Sequence, residues 1–242
     1  MYEKRYYRQW MQPEDMAAFR LVEYETDLFV AVSESSFSEN LKAAVVKEIH
    51  RVRQILVDYE KAQPGFFESL VPLAARAEDP GLIAAMKAAA SLAGVGPMAA
   101  VAGAVSHQVG HNILGGCPEY ILENGGDLFI KTRRPRRVAV ETGHSPFEGL
   151  HLLIEASEKP LGICTSSGIM GHSLSFGRAD AATVISEDVY LADAAATALG
   201  NRVKRAEDIQ AALNWVQTVP GVLGALVIAD GQLGAWGAVV LD

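Results

Sequence analysis

The residues with the clearest chemical potential lie in a short alanine-rich segment, Leu191-Ala192-Asp193-Ala194-Ala195-Ala196-Thr197. It places a carboxylate, Asp193, and a hydroxyl, Thr197, four residues apart, and residues i and i+4 share one face of a helix. A buried carboxylate must be paired, hydrogen-bonded or bound to a metal ion. Because divalent cations prefer hard oxygen ligands, the spacing predicts a Mg²⁺ or Ca²⁺ site. The alternative is structural: Asp193 caps a neighbouring loop, and Thr197 bonds its own helix backbone.

Two further segments combine small polar residues with glycine. Asn124-Gly125-Gly126-Asp127 stands between apolar runs and predicts a hairpin turn with positive φ angles. Its bare backbone can also let a ligand come close. Thr165-Ser166-Ser167-Gly168 follows a strand-like run, and its N–H and O–H donors suit either phosphate oxygens or an ordinary turn. His172 comes next, as a ligand contact or as a structural histidine.

Two other groups of residues are weaker candidates for a site. His107 and His111 have the spacing of zinc ligands on a helix. No HExxH pattern accompanies them, so a solvated helix end that frays at Gly110 is the favoured interpretation. The run Thr132-Arg133-Arg134-Pro135-Arg136-Arg137 is basic within an acidic chain. It is interpreted as a solvated turn between strands, with a phosphate or partner patch as the alternative.

Composition limits the class of protein. Half of the 242 residues are hydrophobic, which is enough for a sizeable core, and the net charge of −8 argues against a general nucleic-acid binder. Cys117 and Cys164 form no CxxC pair and are expected as reduced, buried thiols. The first residues lack the apolar region of a secretory signal. The stretch Ala88–Val105 is mostly Ala and Gly around Pro97, so its membrane insertion would be weak. We expect a cytoplasmic protein without a membrane partner.

The elements that position these residues can be predicted from hydrophobic periodicity. Two strand-like runs, 18–22 and 28–32, predict a hairpin, and Ser38 opens an amphipathic helix that ends at Pro64-Gly65. Helical patterns follow over 66–75, 82–92, 98–109, 189–199 and 206–216, and strand patterns over 120–122, 128–130, 138–140, 150–154, 161–164 and 221–241. Helices in blocks and strands joined by short turns favour an α+β fold with antiparallel sheets. No linker is evident, so residues 1–242 are expected to form one domain.

Taken together, these segments resemble the ApbE superfamily of flavin-handling proteins. The match follows the family order through the Asn124–Asp127 turn, the Thr165–Gly168 loop, His172, the strand Thr183–Ile185 and the motif Ala192–Thr197. The exact residues at these places look more like a separate ApbE-like branch than like true ApbE.

The resemblance implies an ApbE-like T-fold, with antiparallel sheets and long helices packed on one face. Known ApbE proteins bind FAD and, with Mg²⁺, hydrolyse it or transfer FMN to a protein threonine. Carried over residue by residue, the resemblance implies Asp193 and Thr197 as catalytic residues and metal ligands, with a backbone carbonyl near Ala99 as a further ligand. It implies that the cofactor-binding residues are Asn124, Gly125, Gly126, Asp127, Thr165, Ser166, Ser167, Gly168 and His172.

The chain departs from the ApbE pattern at three places. Glu25-Thr26-Asp27 stands where the family has a Met-Gly-Thr flavin motif, the His-x-x-Asp-Pro segment is reduced to His172-Ser173-Leu174-Ser175-Phe176, and Ala102 replaces a lysine. Two functions therefore stay open. One is a Mg²⁺-dependent enzyme acting on FAD or a related phosphorylated cofactor, as an FAD pyrophosphatase or FMN transferase. The other is a non-catalytic flavin- or nucleotide-binding protein that retains the fold and pocket.

Both functions require a small phosphorylated ligand and one shared site. We expect four polar segments to converge on one cleft: the Asn124–Asp127 turn, the Thr165–Gly168 loop, His172 and the Asp193–Thr197 pair. The reason is that one solvated pocket costs less desolvation free energy than several separate buried polar sites. The small-residue helix that starts near Met98 also predicts a homodimer.

Overall fold

The computed structural model describes residue 13 and residues 15–142, 146–168 and 177–242. Within these ranges helices and strands occur in blocks, as predicted. In chain order they are β1 (Met16–Glu23), β2 (Thr26–Ser33), α1 (Glu39–Ala62), α2 (Gly81–Ala93), α3 (Val101–Asn112), β3 (Tyr120–Asn124), β4 (Asp127–Thr132), β5 (Arg136–Ala139), β6 (His151–Ile154), β7 (Ser157–Ser166), β8 (Ala181–Ser186), α4 (Val189–Asn201), α5 (Ile209–Val216), β9 (Val222–Ala229) and β10 (Gln232–Gly237).

Eight strands form one sheet in the order β1-β2-β3-β4-β7-β8-β9-β10. Every neighbouring pair in it is antiparallel. The two remaining strands, β5 and β6, pair antiparallel as a small separate sheet, and in sequence they lie between β4 and β7. The antiparallel α+β fold is therefore confirmed.

The two faces of the large sheet are covered by different elements. Successive side chains of a strand point to opposite faces, so neighbouring residues belong to different cores. Cys164 and Val227 belong to the core shared with helices α1 to α5, whereas their neighbours Ile163 and Ile228 belong to a second core with β6. The long helices thus pack on one face, as the resemblance implied.

The helical pattern predicted over 66–75 is wrong. Residues 63–80, here called the α1–α2 loop, form turns and irregular backbone between two helices. The reason lies in hydrogen bonds from a neighbouring side chain. The carboxylate of Glu60 accepts the backbone N–H groups of Gly65 at 2.9 Å and Phe67 at 2.8 Å, so these groups do not donate along a helix.

Helix α4 lies close to both α3 and β7 because two glycines remove side chains at the contacts. A Cβ atom at Gly103 on α3 would stand 2.4 Å from the carbonyl oxygen of Val189, and one at Gly162 on β7 would stand 2.7 Å from the Cα of the same residue. The alanines of α4 are all buried. This packing places Asp193, in the second turn of α4, between the start of α3 and the sheet.

The apolar stretch 88–105 covers the end of α2, a helical turn at Pro97–Ala100 and the start of α3. No single helix in the described parts of the chain is long and apolar enough to cross a membrane. Residues 81–93 and 97–112 reach that length and composition only as a pair bent by 105°. Both helices contribute buried side chains to the helix-face core, among them Ile83 and Val109.

Candidate functional site

Asp193 lies on the buried face of α4 and contacts the beginning of α3. One of its carboxylate oxygens, Oδ2, accepts the backbone N–H of Gly103 at 2.8 Å. The first N–H groups of a helix have no partner within the helix, and a negative charge there is favoured by the helix dipole. Helix α3 has no side-chain cap from its own N-terminal residue, Ala100. Asp193 therefore caps α3 from a neighbouring helix. A capping role of this kind is the structural alternative to metal binding for Asp193.

Asp127 is brought to the same place by the hairpin between β3 and β4. Gly125 and Gly126 have φ angles of 75° and 101°, which confirms the predicted turn, and Asn124 pairs with Asp127 across it. The Asp127 Oδ1 atom accepts the backbone N–H of Thr165 on β7 at 2.9 Å. The turn thus fixes a buried carboxyl group against the end of a neighbouring strand.

The carboxyl groups of Asp127 and Asp193 are linked by a hydrogen bond. Burial, followed by the charge of Asp193, raises the pKa of Asp127 well above its ordinary value. Burial raises the pKa of Asp193 to about 7, against the opposing effect of the Gly103 N–H. Because the two groups titrate together, the proton belongs to the pair rather than to either carboxyl group. The Cys164 thiol lies beside the pair, and burial raises its pKa as well, so it stays neutral there.

Oxygen atoms of three further residues bear on the predicted metal site. The side-chain amide of Asn124 donates to the backbone carbonyl oxygen of Ala102 at 3.3 Å. Thr197 lies one turn beyond Asp193 on α4, is half-buried, and its hydroxyl forms no hydrogen bond with any described residue. Ala99 lies in the turn that precedes α3. The backbone carbonyl that contacts a predicted site residue, Asn124, is therefore that of Ala102.

The loop after β7 uses several of its donors inside the protein. The Thr165 hydroxyl lies 2.8 Å from that of Thr183 on β8, and the Gly168 N–H donates to the carbonyl of Ala179 at 3.0 Å. Ser166 is buried. Since the Thr165 N–H is taken by Asp127, neither it nor the Gly168 N–H is available for a phosphate in this arrangement. His172 lies outside the described residues.

The two histidines of α3 take part in aromatic packing. The rings of His107 and His111 stack with centroids 5.6 Å apart, and His107 also lies 4.9 Å from the ring of Tyr190. The predicted fraying at Gly110 is wrong, since α3 continues to Asn112 and Gly110 is buried. The described part of the chain contains no group of three or more His, Cys, Asp or Glu side chains that could hold a metal ion.

The basic run is largely neutralised within the chain. Arg136, in β5 rather than in a turn, forms a two-pronged pair with Asp15 at 2.8 and 2.9 Å and a further bond to Glu119 at 3.2 Å. Arg137 pairs with Asp242 at 2.6 Å. These pairs leave little of the patch available for a phosphate.

Sequence reasoning found both carboxylates but missed their partners Ala102 and Gly103. The many small residues of α3 indicate that another element packs closely against it, but they do not indicate which element. In the structure that element is α4, whose Val189 and Asp193 would both be in close contact with a Cβ atom at Gly103.

Comparison with known proteins gives this arrangement a family. A family model described as "AbpE bacteria" matches residues 8–234. The chain belongs to this ApbE-related family. It is 39% identical over 217 residues to a UPF0280 protein of Methanosarcina acetivorans, covering 89% of this chain and 84% of the relative. A UPF0280 protein of Methanocella arvoryzae is 41% identical over 190 residues, which is 78% of each chain.

Solved structures show the same fold at much lower identity. A mutant of the flavin transferase ApbE from Vibrio cholerae has a TM-score of 0.60 at 13% identity, covering 92% of this chain and 97% of that one. The apo form of the flavinyl transferase ApbE from Pseudomonas stutzeri has a TM-score of 0.53 at 15% identity, covering 92% and 94%. The ApbE resemblance is confirmed, and the low identity is consistent with a separate branch.

Proposed function

We propose that this ApbE-related protein holds a divalent cation at Asp127 and Asp193 and acts on FAD or a related phosphorylated cofactor. The buried pair of carboxyl groups carries the proposal. Burying two carboxylates side by side is costly unless a proton or a cation neutralises them. A single carboxylate would suffice to cap α3. The second one therefore points to a cation that replaces the shared proton.

The donor set suits Mg²⁺. It consists of the carboxylates of Asp127 and Asp193, the Ala102 carbonyl and the Thr197 hydroxyl, all of them hard oxygen donors. When bound, the ion would neutralise a diphosphate and polarise the phosphorus under attack. The chain's own residues orient the donors: the Gly103 N–H holds Asp193, and the Thr165 N–H holds Asp127.

The flavin part of the proposal is supported by the family and by fold neighbours whose names include flavin transferase. In this proposal the ligand binds beside the carboxyl pair, along the Asn124–Asp127 turn and the segment that begins at Thr165 and includes His172. The whole chain acts as one domain.

The test is to incubate purified protein with FAD and Mg²⁺ and to separate the products by chromatography. Hydrolysis of the diphosphate by water yields FMN and AMP in equal amounts. We expect Asp193→Asn to lower the rate at least 100-fold, whereas Asp58→Asn, a change in an exposed carboxylate on α1, leaves it unchanged. Absence of both products with the wild-type protein, or equal rates in wild type and Asp193→Asn, would contradict the enzymatic form.

A non-catalytic binding protein is the second candidate, and one observation favours it. Each carboxyl group already accepts a backbone N–H, from Gly103 and from Thr165, so each has a structural role that requires no cation. This candidate predicts that FAD or a nucleotide stabilises the protein without product formation. A ligand at 100 times its Kd adds about 2.7 kcal/mol to the free energy of unfolding, which a thermal-shift measurement detects.

A further inference from the structure

A second candidate ligand site lies between the C-terminal half of α1 and the α1–α2 loop, and it shares no residue with the carboxyl pair. We propose that it binds an amphipathic monoanion, a carboxylate attached to an apolar chain. An outer cavity of about 480 Å³ adjoins an inner cavity of about 180 Å³. Tyr59, Gln63 and Arg76 line both cavities, so they form one groove, here called the α1 groove.

The wall of the inner cavity is a fixed polar network. The Lys87 side chain is 3% exposed, and its ammonium donates to the Tyr59 hydroxyl at 2.7 Å and to Asp79 at 2.8 Å. The Tyr59 hydroxyl donates in turn to Asp79 at 2.6 Å, and the ammonium also reaches the Ala74 carbonyl at 3.1 Å. Because Asp79 neutralises Lys87, this network makes the wall rigid and adds no net charge.

Arg76 supplies a positive charge at the junction of the two cavities, whereas Glu78 lines only the outer one. Arg76 lines both cavities and forms no ion pair with any described residue. Its backbone N–H donates to the Asp79 carboxylate at 2.9 Å, which ties its position to the buried network. Gln63, whose side chain carries an amide, also lines both cavities. A guanidinium beside an amide donor suits a carboxylate head group.

The remaining charges of the groove limit the ligand to one negative charge. Asp58 is paired with Lys61 at 3.3 Å, and Arg51 is paired with Glu48 at 2.6 Å. Glu78 also lines the outer cavity. Its negative charge opposes a second anionic group, so a diphosphate or nucleotide is disfavoured.

The outer cavity supplies the apolar part of the site. Ile55, Ala62 and Pro80 present carbon surface there, and its volume lies within the range of ordinary ligand pockets. The α1–α2 loop that forms one side is unusually long for a connection without regular structure, and such loops in compact domains are most often functional. Glu60 and Asp79 hold this loop in place through its backbone N–H groups.

The test is calorimetric titration with decanoate below its micelle concentration, with decyltrimethylammonium as the probe of opposite charge. We expect decanoate to bind with a stoichiometry of one and the cation not to bind. Arg76→Ala should weaken decanoate binding at least 10-fold, whereas Arg133→Ala, which removes an exposed arginine elsewhere, should leave it unchanged. Ala62→Trp, at an exposed position, should block the outer cavity and abolish binding.

The outcome is separable from that of the proposed function, because Asp193→Asn should bind decanoate as the wild-type protein does. Thermal melting of each variant verifies that it is folded. Absence of saturable decanoate binding to the wild-type protein would overturn the proposal. So would equal binding of the two probes, or undiminished binding to folded Arg76→Ala and Ala62→Trp variants.

Discussion

Asp193 joins three parts of the molecule through one side chain. It projects from α4, accepts the N–H of Gly103 at the start of α3 and shares a hydrogen bond with Asp127 from the β3–β4 turn. When one partner of a buried hydrogen bond is removed, the other group is left without a partner. The resulting loss of stability exceeds the net contribution of the hydrogen bond itself. The structural importance of Asp193 can therefore be separated from any role in binding a cation.

Substitutions at Asp193 and Thr197 should separate these two roles. We expect Asp193→Ala to lower the free energy of unfolding by about 1–3 kcal/mol, since the Gly103 N–H loses its acceptor. Asp193→Asn keeps an acceptor oxygen and should cost less. Thr197→Ala should change stability by no more than about 0.5 kcal/mol yet diminish stabilisation by Mg²⁺. Urea unfolding with and without Mg²⁺ measures both effects, and equal Mg²⁺ stabilisation in wild type and Thr197→Ala would remove Thr197 from the donor set.

The carboxyl pair should also make the metal-free protein less stable as the pH rises. The pKa of Asp193 is raised from 3.8 to about 7 in the folded protein, and that of Asp127 is raised as well. A raised pKa contributes stability that is fully present below about pH 4 and is lost as the pH rises through about 7.

Asp127→Asn is the variant that tests this pH dependence, because it removes one titrating group and keeps a side chain of similar size. Unfolding is measured in urea with EDTA between pH 4 and pH 8. We expect the wild-type protein to lose stability over this interval and the variant to lose less, because Asp127 no longer titrates while burial still raises the pKa of Asp193. Parallel curves for the two proteins would show that the pair is not the source of the effect.

At the scale of secondary-structure elements, glycines decide how closely α4 can approach its neighbours. Gly103 and Gly162 stand opposite the first residue of α4, Val189, where an added methyl group would overlap it. The close approach sets the position of Asp193, since the carboxylate has to reach the third residue of α3. Packing and site geometry are thus determined by the same contacts.

Replacing these glycines by alanine should therefore be costly, in contrast to glycines that face open space. We expect Gly162→Ala to lower the free energy of unfolding by about 1–3 kcal/mol, the usual cost of overpacking. Gly116→Ala is the matched control, because an added Cβ there meets no atom within 4 Å. Urea unfolding of the two variants makes the comparison. Similar stabilities would show that α4 can shift away from β7 at little cost.

The arrangement of the sheet and helices is shared with the ApbE structures, although little of the sequence is. Identity to the ApbE structures is 13–15%, yet more than nine-tenths of the chain superposes on them. A fold of this kind requires alternating apolar positions and short turns, which many sequences satisfy. The specific polar residues of the site therefore decide function.

The homodimer stays a prediction at this scale. It rests on the small residues of the α3 segment, but Gly103 and Gly110 pack inside the chain against Val189 and Phe129. Multi-angle light scattering at micromolar concentration measures the mass directly. A dimer would give twice the chain mass of 25.9 kDa, and a value equal to the chain mass would contradict it.

Elements that depend on local chemistry can be predicted from the sequence alone. Two short apolar runs indicate the strands of the β1–β2 hairpin, and Ser38 indicates the start of α1, where its hydroxyl accepts the Leu41 N–H at 3.0 Å. The glycines at 125 and 126 marked a turn with positive φ. Each of these signals works within a few residues, because periodicity, capping and turn conformation are local properties.

The hydrogen-bond partner of each buried polar group depends instead on how the elements pack. The backbone of 66–75 is not helical because Glu60 takes two of the N–H groups of the α1–α2 loop, and the Gly103 N–H finds an acceptor in Asp193, 90 residues away. Sequence motifs identified both carboxylates of the site, but only the packing of α4 on α3 and β7 brings them together. A buried hydrogen bond depends on which surfaces meet, and residues distant in the chain determine that.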